Sequence, residues 1–258
     1  MIENKRHTNH KEYIVGRNLL LKQVLFIVII LCTYSTVAQI NGLGSWNILN
    51  LKYLYTNKLS FFGEAQIRSL KFYNNFHYYE YKGGINYKAY KNVMLTIGAG
   101  SYQTYNEEGN FVLPKNNDEF RTWPQVVLFQ SIGKLNIEQR YRAEFRWTSI
   151  DYRNRFRYRF GIFYPFGKKQ NEYKPYQIIA SNELFFTDKE PYFERNRFLF
   201  ALNVKLFKLT TLQIGYLHQF DYKINDEIGR DFFVIGFYYD IFREATSKQE
   251  NEYEIKDN

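Results

Sequence analysis

The sequence holds a single cysteine, Cys32, so it cannot form an internal disulfide. Its four histidines are His7, His10, His77 and His218. The first two precede an expected cleavage site, and the other two are far apart. No Cys/His spacing for a metal is present, and neither a metal nor any other cofactor is expected. Proline is scarce, at five residues. No apolar run reaches the ~20 residues that a membrane-spanning helix needs. Zinc-finger spacing, a helix-turn-helix pattern and an aromatic RNA-binding signature are all missing, which argues against nucleic acid as a partner. Gly98 and Gly100 are isolated glycines within a strand pattern, not a phosphate-binding loop, and are expected where strands curve.

What the chain has in abundance is aromatic surface. Of 258 residues, 24 are Tyr and 24 are Phe, while the mean hydropathy is −0.49. Membrane helices would raise that average. Strands that show only every second residue to lipid would not. Tyr and Trp also suit membrane interfaces, their rings being apolar and their tips polar. The formal charge is +9. Five bases and two acids lie before Gln39, leaving +6 for the remainder.

Residues 1–38 read as a secretory signal peptide. A polar, basic stretch is followed by the apolar run Val24–Leu31, and Thr36-Val37-Ala38 ends in a small residue. Leu31 stands before Cys32 where a lipoprotein needs a small residue, which argues against lipidation. The alternative, an N-terminal anchor helix, is disfavoured by the length of the apolar run.

After Gln39 the pattern has period two, which argues for strands. In Lys134–Trp147 one parity holds Glu138, Arg140, Arg142, Glu144 and Arg146. The other holds Leu135, Ile137, Tyr141, Phe145 and Trp147. Arg153–Phe166 repeats the split, with Arg153, Arg155, Arg157 and Arg159 against Phe156, Tyr158, Phe160 and Ile162. In Phe193–Phe207, Arg195 and Arg197 oppose Phe198, Phe200 and Leu202. Glu64, Glu80 and Glu183 fall on charged parities of their own strands. Ionised groups are costly to pack in a core unless paired. The apolar faces therefore point to lipid and the charged ones to a barrel lumen.

Eleven strands can be read, ending with Arg230–Phe242. Bacterial single-chain barrels use even numbers, so ten or twelve are expected. Links near Asn57, Asn92, Gly133 and Lys208 are short. Those at Leu70–Asn75, Asn106–Glu119, Thr148–Tyr152, Thr187–Tyr192 and Lys223–Gly229 are longer, the sorting expected of periplasmic turns and external loops, with the Gly167–Lys174 link intermediate on the short side. The expected fold is all-β: a single transmembrane antiparallel up-and-down β-barrel over residues 39–242, then a polar tail, 243–258, without periodicity and expected to be disordered.

Several stretches are familiar together: Trp46 opening the first strand, Phe62-Gly-Glu-Ala-Gln-Ile-Arg68, the Tyr-rich Tyr78–Tyr87, and Gln139–Arg146. Across most of Trp46–Phe242 the chain resembles the outer-membrane β-barrel family catalogued as domain of unknown function 2490. The resemblance implies a Gram-negative outer-membrane location. It supplies no activity and no functional residues to carry over.

The candidate site is the lumen. Its basic wall would be Arg140, Arg142, Arg146, Arg153, Arg155, Arg157, Arg159, Arg195 and Arg197, with Glu64, Glu80, Glu138, Glu144 and Glu183 as acidic partners. If the charges pair, they fill and brace a narrow barrel. If arginine is left over, its guanidinium forks suit the binding or passage of a small anionic solute. Expected partners are outer-membrane lipids and, during insertion, the barrel-assembly machinery. No enzymatic activity is expected. The rival is an outer-membrane lipid hydrolase of the phospholipase or lipid A deacylase type. It needs a Ser–His pair, whereas His77 and His218 fall on the lipid-facing parity and no histidine can be placed beside Ser181. A third reading is a soluble periplasmic β-sandwich.

Overall fold

The computed structural model describes residues 39–168, 174–222 and 227–243. The expected signal peptide, and the tail beyond Arg243, lie outside the described residues. The strands are β1 (Gln39–Leu54), β2 (Leu59–Lys71), β3 (Asn74–Tyr90), β4 (Val93–Asn106), β5 (Val112–Ile132), β6 (Leu135–Thr148), β7 (Tyr152–Phe166), β8 (Tyr176–Thr187), β9 (Phe193–Phe207), β10 (Thr210–Asp221) and β11 (Ile228–Phe242). Each pairs antiparallel with the next, and β11 returns to β1 to close the barrel. Closure satisfies backbone groups that an open edge would leave bare.

Eleven strands form the wall, the number read directly from the alternation and within the expected range of ten to twelve. An odd meander brings its first and last strands together pointing the same way. The contacts agree: near the strand starts the rings of Trp46 and Phe232 meet at 5.5 Å, and at the strand ends the Arg243 amide donates to the Leu54 carbonyl at 3.1 Å. The seam is thus a parallel pair in an otherwise antiparallel wall.

The two rims can be named by the chain ends: β1 starts at the N-terminal rim and β11 ends at the C-terminal rim. Link lengths do not sort between them as the sequence suggested. The β2–β3 link is only Phe72-Tyr73, while the β7–β8 link at the opposite rim runs from Gly167 to Pro175. The N-terminal-rim links are shorter than read because strand pairing continues past the readable alternation, as in Lys71 with Asn74 and Asn106 with Val112.

The outer face is apolar across its middle, with Phe156, Phe160, Phe198, Phe200, Ile97 and Ile214 exposed. Rings cluster at both edges. Phe120, Trp147 and Tyr152 touch near the N-terminal rim, and Tyr164, Phe166 and Tyr176 near the C-terminal one. A continuous apolar belt between aromatic girdles far exceeds the patches that water-soluble monomers expose.

Inside, aromatic residues fill space between charges. Gly98 has a packing role there: a Cβ on it would stand 2.4 Å from the buried Trp123 ring. Close packing of a large ring, rather than strand curvature alone, requires the glycine.

Candidate functional site

The inner wall is built by the strand parity that the sequence assigned to it. On β6 and β7 this puts Arg140 opposite Arg159, Arg142 opposite Arg157 and Arg146 opposite Arg153. Like charges directly opposite destabilise a sheet, so these cross-strand pairs require counter-charge from elsewhere. Five carboxylates from four strands supply most of it.

Glu144 is the centre. Its carboxylate is wholly enclosed and has Arg157 at 2.5 Å, Arg142 at 3.4 Å, Arg155 at 3.7 Å and Arg121 at 4.0 Å. Glu183, from β8, receives Arg140 at 2.5 Å and Arg157 at 2.8 Å. Glu138 pairs with Arg159. Towards the N-terminal rim, Glu119 holds Arg146 and takes Arg121 at 2.7 Å. Glu194 binds Arg155 and lies 3.6 Å from Arg146. On the opposite wall Glu80 accepts from Arg68 at 2.9 Å and Lys82 at 2.5 Å, and Lys82 also reaches Glu64 at 2.6 Å. Arg195 pairs with Asp221.

Aromatic plates complete the packing. The Arg68 guanidinium lies between the Trp46 and Tyr78 rings, 3.4 and 4.0 Å from their centroids. Arg121 stacks on Tyr102 at 3.8 Å, and Arg157 and Arg197 approach Phe185 at 4.5 and 4.8 Å. Such stacking suits guanidinium, which is flat and weakly hydrated.

All nine arginines named from the sequence lie on the inner wall strands, and all five glutamates are ion-paired there. Arg140, Arg142, Arg146, Arg155, Arg157, Arg159 and Arg195 have carboxylate partners. Arg153 and Arg197 have none among the described residues; Arg197 instead donates to the Gln219 Oε1 at 2.8 Å.

Three acids of the network were not singled out by sequence. Glu119 falls in a stretch that reads as loop, yet the Glu119-Arg121-Trp123-Gln125 parity continues the β5 pattern and could have recruited it. Asp221 ends a strand whose inner parity is mostly uncharged. Glu194 has the wrong parity. A bulge sends Phe185 to Arg195 but Phe186 to Phe193, and the extra residue, Glu194, joins the lumen. Nothing local in the sequence signals it.

A second bulge corrects a histidine. Arg68 pairs with Tyr78 but Ser69 with Phe76, so His77 is the extra residue. It is 6% exposed rather than lipid-facing, with its ring beside that of Tyr78. His218 does stand on the outer face, its Nδ1 2.7 Å from the Asp231 carboxylate, which also accepts from the Tyr216 hydroxyl. Among the described residues no serine or threonine hydroxyl bonds to either histidine, and no group of three His, Cys, Asp or Glu side chains is placed to hold a metal.

A family model described as a protein of unknown function (DUF2490) matches residues 43–229. No curated protein and no solved structure matches the chain.

Proposed function

The chain belongs to the DUF2490 family, whose description carries no activity, and from that premise we propose that it is an outer-membrane β-barrel with a lumen braced shut by its own ion pairs. The observation that carries this reading is the enclosed Glu144 with arginines around it from β5, β6 and β7. A carboxylate so placed neutralises the wall from within and occupies the space that a passing anion would use. The role is then structural, on an outer-membrane scaffold inserted by the barrel-assembly machinery and solvated by the membrane's lipids. The apolar belt and two ring girdles support that placement.

Fractionation tests the placement. The chain should be recovered with detergent-extracted outer membrane and migrate faster before boiling than after. Recovery in the soluble periplasmic fraction would refute it and favour a soluble β-sandwich.

The lipid-hydrolase reading has one observation in its favour, the outward His218–Asp231 pair. Among the described residues no hydroxyl nucleophile is hydrogen-bonded to that histidine, as a Ser–His mechanism requires. We therefore propose a non-enzymatic role. Hydrolysis of phospholipid or lipid A by the folded protein, abolished by His218→Ala, would reverse this.

A further inference from the structure

The inner wall changes character at the C-terminal rim. A concavity of about 590 Å³ opens there, between the β1–β2 and β3–β4 turns. Lys52, Lys58, Lys88 and Lys91 line it, and no Asp or Glu does. Among the described residues none of these lysines forms an ion pair. Lys82, deeper in the lumen, is by contrast clamped between Glu64 and Glu80.

Four ammonium groups around one concavity repel one another, and the arrangement favours an anion among them. Lysine presents a compact point charge with three donors, suited to phosphate or carboxylate. The floor is polar: Ser60 and Asn86 are buried there. That floor is tied to the ion-pair network. The Asn86 Oδ1 accepts from the Thr96 hydroxyl at 2.7 Å, Gln125 donates to that hydroxyl at 3.4 Å, and Gln125 accepts from Arg142 at 2.6 and 2.8 Å. Apart from the polar Thr56 and Asn57 of the β1–β2 turn, the remaining wall is largely apolar and includes Leu54, Met94 and Phe129. A hydrated ion alone would leave that surface wet, whereas a hydrocarbon body would cover it.

We propose that this vestibule binds an amphiphilic anion, its phosphate or carboxylate head held by Lys52 and Lys88 and its apolar body laid against Leu54, Met94 and Phe129. The site lies at the rim, beyond the ion-paired stretch of the lumen, and shares only its Asn86 floor with that network. Its ligand can come from solution or from the lipid leaflet at this rim.

The test is calorimetric titration of the full-length protein, folded into phosphatidylcholine nanodiscs, with octyl phosphate; empty discs give the baseline for partitioning. Saturable binding is expected, weakened roughly tenfold in the Lys52→Gln/Lys88→Gln double variant, since each lysine contributes a modest share near a membrane surface. Inorganic phosphate should bind more weakly and octanol not saturably. Discs containing phosphatidylglycerol separate the sources. Competition that disappears in the double variant assigns the site to membrane lipid, and unchanged affinity assigns it to a soluble amphiphile; either supports the site. The double variant should keep its heat-modifiable mobility. The proposal is overturned by absent octyl phosphate binding, by affinity that the double variant leaves unchanged, or by inorganic phosphate binding as tightly as octyl phosphate. Binding that emerges only after Glu244, Glu250, Glu252, Glu254 and Asp257 are changed to amides would also overturn it, in favour of the chain's own acidic terminus as the occupant.

Discussion

At the scale of single residues, the lumen depends on carboxylates that are few and shared. Glu144 alone lies within 4.0 Å of Arg121, Arg142, Arg155 and Arg157. Removing one member of a buried charge network leaves its partners uncompensated, which typically costs about 3–5 kcal/mol. Glu144→Gln keeps the shape but loses the charge. It should lower the folding stability by about that amount, measured as a shift in the denaturant midpoint of refolding in detergent micelles. A shift under about 0.5 kcal/mol, the size expected for an unremarkable surface change, would mean the pairs do not brace the lumen. The residue identities behind this were largely readable. Period-two parity puts Glu138, Arg140, Arg142, Glu144 and Arg146 on one face without any structure, because a strand has no other way to place them. Partner choice was not readable, since Glu183 meets Arg157 only through the register of β7 on β8.

Strands and their joints set what parity can and cannot say. Alternation located every strand, but two bulges each reversed one residue. Glu194 and His77 are extra residues opposite a shorter partner, and both leave the face that counting assigns them. A bulge depends on the neighbouring strand, so a single strand's sequence does not display it. The strand ends were missed for a related reason. β5 already pairs with β4 from Val112, within the stretch that reads as loop up to Glu119, because Lys115–Asp118 are polar on both faces and hide the alternation. The seam is the element-level feature with the sharpest test. At the C-terminal rim the Arg243 guanidinium stacks over the Tyr55 ring at 4.8 Å, which places these neighbours on one side of the wall. In a Cys32→Ser background, Tyr55→Cys/Arg243→Cys should oxidise to an intramolecular disulfide, seen as a mobility change in unreduced, boiled samples. Leu43→Cys/Arg243→Cys, with its cysteines at opposite rims, should not. An antiparallel closure would reverse the two outcomes.

For the molecule as a whole, the fold class follows from one physical conflict. A chain rich in both arginine and phenylalanine on alternating positions cannot bury both faces in one core. A closed wall resolves this, with rings outward and guanidinium groups inward. Whether the inside would be open was the question the sequence left. The answer depends on barrel width and on acids donated by distant strands. With eleven strands, side chains from non-adjacent strands meet inside: Arg155 of β7 binds Glu194 of β9, and the Arg197 guanidinium of β9 lies 4.9 Å from the Trp46 ring of β1. Four lysines without ion-pair partners among the described residues line the concavity at the C-terminal rim, at one end of the molecule.

That closure is tested most directly by current through single, folded molecules in a planar lipid bilayer. With heat-modifiable protein inserted and a chloride gradient imposed, the predicted record has no unitary conductance steps. Steady anion-selective steps that shrink in Arg155→Ala or Arg142→Ala would contradict the account and make the arginine wall a conduction path.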